Sequence, residues 1–337
     1  MIYIIFGTSG SFTEVCATAL SAALVHNRVE HDLVDASSLT ELGKAAVAAQ
    51  GDVIVVARKP STDLIQHVRT MQISAVVAAP HCASMLAFWL TQSGDALEAW
   101  RGTTAEFSGL MGLAAAPRIS LVRPVPFEAY SHLAAKIART WHLDPPPYFE
   151  GANEFSSKND LSMSYHPSQL EPLWKKIAPW NKEQILSSVL ELDRGLISGL
   201  DYLSIPLNTL TQISDLQPLE GAIDVTGRAR GLFCGPYVRL PIGQWVATLE
   251  LATSSNLRGV PWMADVVRLK DGQVKELARS EVKTGERSSW TIDLSFSNDD
   301  PNTPLEIRLF VTKAIFDGTV SVRRLDIARE EAAKSHR

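Results

Sequence analysis

The chain is poor in cysteine and carries no excess of basic charge. Its three cysteines stand far apart without C-x-x-C spacing, which argues against a disulfide framework and against a structural zinc site. We therefore expect no bound metal. The net charge of −5 provides no electrostatic footprint for nucleic acid, so nucleic acid is not an expected partner.

Long apolar runs are absent as well. The sequence contains no stretch of about 18 apolar residues and predicts no transmembrane segment. The run Ile2–Phe6 has no basic residues before it and leads directly into a glycine turn, which is typical of a strand and not of a signal peptide. We expect a cytoplasmic protein. Its 337 residues give room for two domains. The sequence leaves open whether the chain forms a homo-oligomer.

An α/β domain is predicted over residues 1–145. Short apolar segments alternate there with helical segments, and the clearest buried strands are Ile2–Phe6, Asp52–Ala57 and Ile73–Ala79. Two further strands are predicted at His31–Ala36 and Ile119–Val122. Short buried strands separated by helices form parallel sheets that are covered on both faces. We therefore expect a three-layer domain with a parallel sheet.

The hydrophobic period changes further along the chain. Residues 146–217 are predicted to form a helical connector, with helices over 169–177 and 182–200. From Pro218 apolar and polar residues alternate, with turn residues between the runs. About eight short strands of this kind predict an antiparallel, jelly-roll-like β-sandwich over residues 218–328. A charged tail follows at 329–337.

The turn after the first strand has the features of an anion site. It consists of Gly7, Thr8, Ser9, Gly10 and Ser11. Backbone N–H groups and the dipole of the next helix meet there, but the turn has neither the Lys of a Walker A loop nor the third glycine of a dinucleotide fingerprint. In the alternative interpretation, Ser11 and Glu14 form a capping box that satisfies the same N–H groups internally.

Charged and polar residues follow the other predicted strands. The carboxyl ends of parallel strands meet at one edge of a sheet, so a crevice there would gather these side chains. Arginine and lysine suit phosphate or sulfate, and histidine suits a general base because its pKa lies near neutrality. In the alternative interpretation, each of these side chains is an ordinary surface or structural group without a ligand. The set comprises Arg58, Lys59, Ser61, His81 and Arg123.

Two of these motifs resemble motifs of bacterial sulfotransferases. The turn Gly7–Phe12 looks like their phosphosulfate loop, and Val55–Ser61 is similar to their second nucleotide motif, an Arg-x-Pro after a buried strand. The resemblance implies a P-loop-like domain over residues 1–145 that binds 3′-phosphoadenosine 5′-phosphosulfate. It assigns the 5′-phosphosulfate to Ser9, Gly10 and Ser11, and the 3′-phosphate to Arg58 and Ser61.

The same resemblance implies catalytic roles. The sulfotransferase loop normally carries a cation that stabilises the leaving group, and this loop has none, so Lys59 is the candidate substitute. His81 is the candidate base that takes a proton from a sugar hydroxyl. Arg123 is the candidate substrate-binding residue at the same edge.

A second resemblance concerns the sandwich. The segment Gly231–Pro241 and the alternating strand after it are similar to jelly-roll modules attached to bacterial polysaccharide-synthesis enzymes. Such modules bind sugars through exposed aromatic rings. The candidate rings are Tyr237, Trp262 and Phe310, and plain packing is the alternative for each. Phe310 is expected to share its face with Glu306 and Arg308.

Three functional hypotheses follow. In the first, the chain is a sulfotransferase-like protein of bacterial surface polysaccharide synthesis, which transfers a sulfuryl group from a nucleotide donor to a sugar hydroxyl. In the second, it is a non-catalytic adaptor or glycan-binding protein with a degenerate P-loop fold. In the third, it is a glycosyl or acyl transferase that uses the same glycine-rich turn for a different nucleotide. The sequence leaves open whether the chain is an enzyme.

Overall fold

The computed structural model describes residues 1–114, 116–124, 130–146, 179–285 and 288–335. The chain divides into two compact units, which are described separately. The first comprises Met1–Ile177 and Asp193–Gly199, and the second comprises Ala178–Leu192 and Leu200–Arg337. The predicted helix over 169–177 lies outside the described residues.

The first unit contains a parallel sheet, sheet A, with helices. Its strands are β1 (Ile2–Gly7), β2 (His31–Asp35), β3 (Asp52–Arg58), β4 (Ala75–Ala78) and β5 (Ile119–Val122). Its helices are α1 (Ser11–His26), α2 (Leu39–Ala48), α3 (Thr62–Thr70), α4 (Cys82–Ser93), α5 (Ala96–Ala114) and α6 (Tyr130–Arg139). The strand order is β2-β3-β1-β4-β5. The predicted parallel α/β architecture is confirmed.

The core of this unit follows from the apolar strands. β1, β3 and β4 are buried along almost their whole length, because strands in the middle of a parallel sheet have helices on both faces. The edge strand β2 is partly exposed, and Leu33 on it is 60% accessible. β3 and β4 flank β1 on its two sides and therefore fix the position of the glycine turn that follows β1.

The second unit contains two antiparallel sheets. It has the helix α8 (Glu330–Ser335) and the first part of α7 (Pro179–Ser198), which agrees with the predicted helix over 182–200 and whose residues from Asp193 onward belong to the first unit. The strands are β6 (Tyr202–Ser204), β7 (Thr211–Gln212), β8 (Ala222–Asp224), β9 (Arg230–Val238), β10 (Gly243–Thr253), β11 (Pro261–Lys270), β12 (Gln273–Lys283), β13 (Ser289–Asn298), β14 (Leu305–Val311) and β15 (Thr319–Arg329).

Sheet B has the order β13-β10-β15-β6, with β8 also on β15, and sheet C has the order β12-β11-β14-β9-β7. The alternating residues of β10, Trp245, Ala247, Leu249 and Leu251, are all buried, as their period of two predicts. The predicted β-sandwich is confirmed. Sheet B already includes β6 and sheet C includes β7, and both strands come before the predicted start of the sandwich at Pro218. The sequence did not predict them, because strands of two or three residues are too short to show a hydrophobic period.

Candidate functional site

The strand order of sheet A puts a topological switch point between β1 and β4. The chain leaves β1 toward β2 and leaves β4 toward β5, in opposite directions across the sheet, and ligands of open α/β sheets bind at such a switch point. Gly7 pairs with Arg58 of β3 and with Ala78 of β4. The glycine turn, Arg58 and the loop that carries His81 therefore lie at the same edge of the sheet.

The glycine turn is held by contacts inside the protein. The N–H of Ser9 donates to Oε2 of Glu106 (2.9 Å), and the hydroxyl of Thr13 donates to the carbonyl of Thr8 (2.9 Å). Gly10 is the N-cap of α1 in an extended conformation and provides no side-chain cap. The side chain of Ser11 lies outside the described residues, so its predicted role stays a prediction.

Gly7 has a packing role. A Cβ atom at this position would lie 2.2 Å from Oγ1 of Thr13, well inside the van der Waals distance. The glycine therefore lets the first turn of α1 approach the end of β1, and this close packing does not depend on a ligand.

Glu106 of α5 brings a negative charge to the position predicted for phosphate. Its side chain is fully buried, and Nζ of Lys59 lies 3.8 Å from its Oε1. Oε1 has no hydrogen-bond partner among the described residues. One internal carboxylate thus engages both the Ser9 amide and the cation that was predicted to assist the leaving group.

Arg58 and Ser61 are also engaged with carboxylates. Nη1 of Arg58 donates to Asp35 (2.8 Å), and its Nη2 lies 3.7 Å from Glu14. The Ser61 hydroxyl donates to Asp63 and lowers the pKa of that carboxyl. Glu14 therefore faces Arg58. The capping box of Ser11 and Glu14 stays a prediction, because the Ser11 side chain lies outside the described residues.

His81 and Arg123 meet at Asp193, which lies on α7. Nη2 of Arg123 donates both to Nδ1 of His81 (3.0 Å) and to Oδ1 of Asp193. The N–H of Cys82, at the start of α4, donates to the same oxygen (2.8 Å). Burial raises the pKa of the Asp193 carboxyl, but the His81 and Arg123 side chains and the Cys82 N–H outweigh burial and hold it well below its ordinary value.

Nδ1 of His81 thus faces two groups, Nη2 of Arg123 at 3.0 Å and Oδ2 of Asp193 at 3.7 Å. It accepts a hydrogen bond from the arginine in one ring tautomer and donates one to the carboxylate in the other. The imidazole side chain is 30% exposed, so a ligand at this edge can reach it.

The predicted sugar-binding residues of the sandwich separate into two groups. Trp262 is fully buried, and its Nε1 donates to the hydroxyl of Thr284 (3.2 Å). Its ring packs against Trp290 at 5.5 Å between centroids. Trp262 is therefore a core residue and not an exposed sugar-binding ring. It lies on the inward side of β11, which forms the core and exposes no ring face.

Phe310 lies on the outward side of β14 in sheet C. The register pairs Phe310 with Met263, Arg308 with Asp265 and Glu306 with Val267, so Glu306, Arg308 and Phe310 share a face as the alternation predicts. Gly231 lies beside Ile213 and the Phe310 ring, so that a Cβ atom at Gly231 would lie 2.7 Å from Cδ1 of Ile213 and 3.3 Å from the ring. The inward residues of β14 are buried in the core.

Arg308 is fixed in front of this ring. Its Nε and Nη2 donate to the two oxygens of Asp265, at 2.9 and 2.6 Å, in a bidentate ion pair. Its guanidinium carbon lies 5.4 Å from the centroid of the Phe310 ring. The hydroxyl of Tyr237 lies 3.5 Å from Oε1 of Glu306. We call Tyr237, Asp265, Glu306, Arg308 and Phe310 the sheet C patch.

The sequence analysis missed three acidic residues. Asp265 follows three apolar residues in β11 and carries no motif. Glu106 lies on α5, which was not predicted, although Trp100, Phe107 and Leu110 have helical spacing and are buried. Asp193 lies on a predicted helix, but nothing in the sequence connects it with His81.

No protein-family model and no curated protein matches this chain. Among solved structures, it is similar to Family 16 Carbohydrate Binding Module-2, with 14% identity over 38% of this chain and 86% of that one and a TM-score of 0.25. It is also similar to the N-terminal cellulose-binding domain of Cellulomonas fimi β-1,4-glucanase C, with 14% identity over 36% and 87% and a TM-score of 0.24.

A third similar structure is VP2 of infectious bursal disease virus, with 14% identity and a TM-score of 0.24; the match covers 32% of this chain and only 30% of that protein. TM-scores this low carry no weight for fold or ligand. Among the described residues, no helix is long and apolar enough to cross a membrane, and no group of His, Cys, Asp and Glu side chains could hold a metal ion.

Proposed function

We propose that this chain is a glycan-binding protein whose sugar site is the sheet C patch. The observation that carries the proposal is the pairing of Arg308 with Asp265 beside the Phe310 ring on the outward side of the sheet. This combination provides a flat apolar surface next to fixed hydrogen-bonding groups, which is the general character of a small-ligand site.

The charge balance of the patch favours a neutral ligand. Asp265 is almost fully buried and neutralises Arg308, and it also raises the pKa of the guanidinium, which stays charged. Arg308 is 26% exposed, and those of its N–H groups that Asp265 does not engage can donate to sugar hydroxyl oxygens. A phosphate or sulfate needs unpaired positive charge, which this pair does not supply.

The rigidity of the patch also favours binding. The guanidinium of Arg308 lies beside the Phe310 ring, and two hydrogen bonds to Asp265 fix Arg308 itself. Groups that are already ordered lose little conformational entropy when a ligand binds. A pyranose ring stacked on Phe310 would place its equatorial hydroxyls near Arg308.

Calorimetry with neutral oligosaccharides of glucose, xylose and galactose tests this proposal. We expect Phe310→Ala to weaken binding about tenfold, which corresponds to about 1.4 kcal/mol. Phe316→Ala is the matched control, since Phe316 is 98% exposed and lies outside the patch. Equal affinities for the wild type and Phe310→Ala, or no binding to any oligosaccharide, would contradict the proposal.

Sulfuryl transfer is a second candidate. It is favoured by the position of His81, Arg123 and the glycine turn at the β1/β4 switch point, and the acceptor would be a polysaccharide precursor. The nucleotide would be 3′-phosphoadenosine 5′-phosphosulfate, with its phosphates near Arg58 and the turn. Against this candidate, Arg58, Lys59 and Arg123 are each already paired with a carboxylate.

Titration with adenosine 3′,5′-bisphosphate tests the second candidate. If the turn binds phosphate, Glu106→Gln should tighten binding several-fold, because the like charge of Glu106 is removed. If His81 is the base, His81→Ala should lower transfer of labelled sulfuryl roughly 100-fold at unchanged nucleotide affinity. No binding of the bisphosphate by either the wild type or Glu106→Gln would remove this candidate.

A further inference from the structure

The edge strand β2 of sheet A carries backbone hydrogen-bonding groups that point out of the sheet. The N–H of Ala36, directly after β2, donates to the carbonyl of Val56 in β3 (3.1 Å). Successive residues of a strand direct their backbone groups to opposite edges, so the even-numbered residues of this segment bind β3. The N–H and C=O groups of His31, Leu33 and Asp35 therefore point to the other side, where sheet A has no further strand among the described residues.

This edge is accessible. Leu33, at the middle of β2, is 60% exposed. The strand contains no proline and no lysine and pairs with β3 without a bulge, so it lacks three of the features by which proteins protect an edge strand. An exposed edge of this kind is a template on which another strand can pair.

The sequence of β2 is complementary to itself when two copies run antiparallel. With a two-fold axis at Leu33, His31 of each copy lies opposite Asp35 of the other, and the two Leu33 residues lie opposite each other. These are the residues whose backbone groups point outward, so each of these pairs can exchange two hydrogen bonds. Each Asp35 carboxylate then faces a basic side chain across the strands, which is a favourable cross-strand pair.

The neighbouring registers fit less well. A two-fold axis at Asp32 would place the two Asp32 carboxylates directly opposite each other, and like charges in that position are unfavourable. An axis at Val34 would pair Leu33 with Asp35 and leave His31 outside the paired segment. Of these three registers, the one with its axis at Leu33 pairs every residue of β2 and brings no like charges opposite each other.

The exposed leucine gains most from this register. His31 and Leu33 lie on the same face of the sheet, and the Nε2 atom of His31 lies 2.7 Å from the hydroxyl oxygen of Ser21 in α1. The two Leu33 side chains would therefore meet on the face that carries α1. Each would remove apolar surface of the other from water, which favours association.

We propose that β2 is a dimer interface, through which two copies of this chain join their parallel sheets into one continuous sheet with five strands from each copy. The partner is a second copy because the outward backbone groups and the charges of β2 match an antiparallel copy of the same strand. The inference concerns the first unit and is independent of the proposed sugar site.

Sedimentation equilibrium of the full chain over a range of concentrations tests the dimer. We expect a mass of twice 36.8 kDa at high concentration. Leu33→Lys places two ammonium groups opposite each other at the axis and should weaken the dimer about tenfold or more. Val47→Lys is the matched control and should leave the dimer unchanged, since Val47 of α2 is 88% exposed and lies outside β2. The mass of one chain at every concentration, or a dimer that Leu33→Lys does not weaken, would overturn the proposal.

Cross-linking tests the register and does not depend on the folding of Leu33→Lys. Residues of a hydrogen-bonded antiparallel pair have Cα atoms about 5.5 Å apart, which a disulfide can span. We expect Leu33→Cys, combined with Cys234→Ser, to form a covalent dimer under mild oxidation. Val47→Cys with the same second substitution should not. The native Cys16 and Cys82 are buried and do not interfere. No covalent dimer, or equal amounts from both variants, would overturn the proposal.

Discussion

The edge of sheet A and the outward side of sheet C both carry an arginine bound to an aspartate, but the groups around the two pairs differ. At sheet A, Arg123 binds Asp193, and the same carboxylate also contacts His81 and accepts from the N–H of Cys82 at the start of α4. At sheet C, Arg308 binds Asp265 beside the ring of Phe310. The first pair joins structural elements, and the second lies next to an accessible apolar surface.

This difference shows why counting charged residues is a poor guide to a ligand. The edge of sheet A has three cations, and each faces a carboxylate of the same chain. An incoming phosphate would have to compete with those carboxylates. At sheet C the same kind of pair suits a neutral ligand, because Asp265 balances the charge of Arg308 while other N–H groups of Arg308 stay able to donate.

The largest expected effect is the loss of Asp193. Asp193→Ala leaves Arg123 without its carboxylate and removes the acceptor for the Cys82 N–H. We expect the free energy of unfolding to fall by about 2–3 kcal/mol, the scale of a hydrogen bond to a charged group. Urea denaturation measures it, with Asp215→Ala as a control because that aspartate is exposed. An equal loss in both variants would contradict the structural role of Asp193.

The pH dependence of this effect has a definite sign. The pKa of Asp193 is lowered in the folded protein, so its ionised form stabilises the fold above the ordinary aspartate pKa of about 4. This stabilisation is lost as the pH falls through the lower, folded-state value. The difference in unfolding free energy between the wild type and Asp193→Asn should therefore be constant above about pH 5 and shrink below about pH 4. A constant difference down to pH 2 would contradict this account.

A smaller effect is expected at Gly7. Gly7→Ala places a Cβ atom against Thr13, and overpacking of this kind costs about 1–3 kcal/mol. Adding Thr13→Ala removes the clashing atoms and should restore part of the loss. Thermal melts of the single and double variants measure both effects. No coupling between the two substitutions would indicate that Gly7 is not required for packing.

The smallest effect is expected at Phe316. Its side chain is 98% exposed, so Phe316→Ser should change the unfolding free energy by no more than about 0.5 kcal/mol. Sugar affinity should not change either. If this variant lost sugar binding while Phe310→Ala retained it, the site would lie at the turn between β14 and β15 and not at the sheet C patch.

The sequence predicted the fold well because each half has a strong hydrophobic period. The alternation in β14 also placed Phe310, Glu306 and Arg308 on one face before any coordinates were known. The partners of the charged residues could not be predicted. Glu106 and Asp193 are distant in sequence from Ser9 and His81, and only the packing of α5 and α7 brings them together.

Hydrogen exchange measured by mass spectrometry tests the central claim most directly, because it reports on both regions in one experiment. The full chain is compared with and without a saturating neutral oligosaccharide, and separately with adenosine 3′,5′-bisphosphate. We expect the oligosaccharide to slow exchange in peptides that contain Leu305–Val311 and Arg230–Val238, with no change at Ile2–Gly7 or in the turn after it. Protection of the glycine turn by the bisphosphate, with none at β14 by any oligosaccharide, would contradict the account.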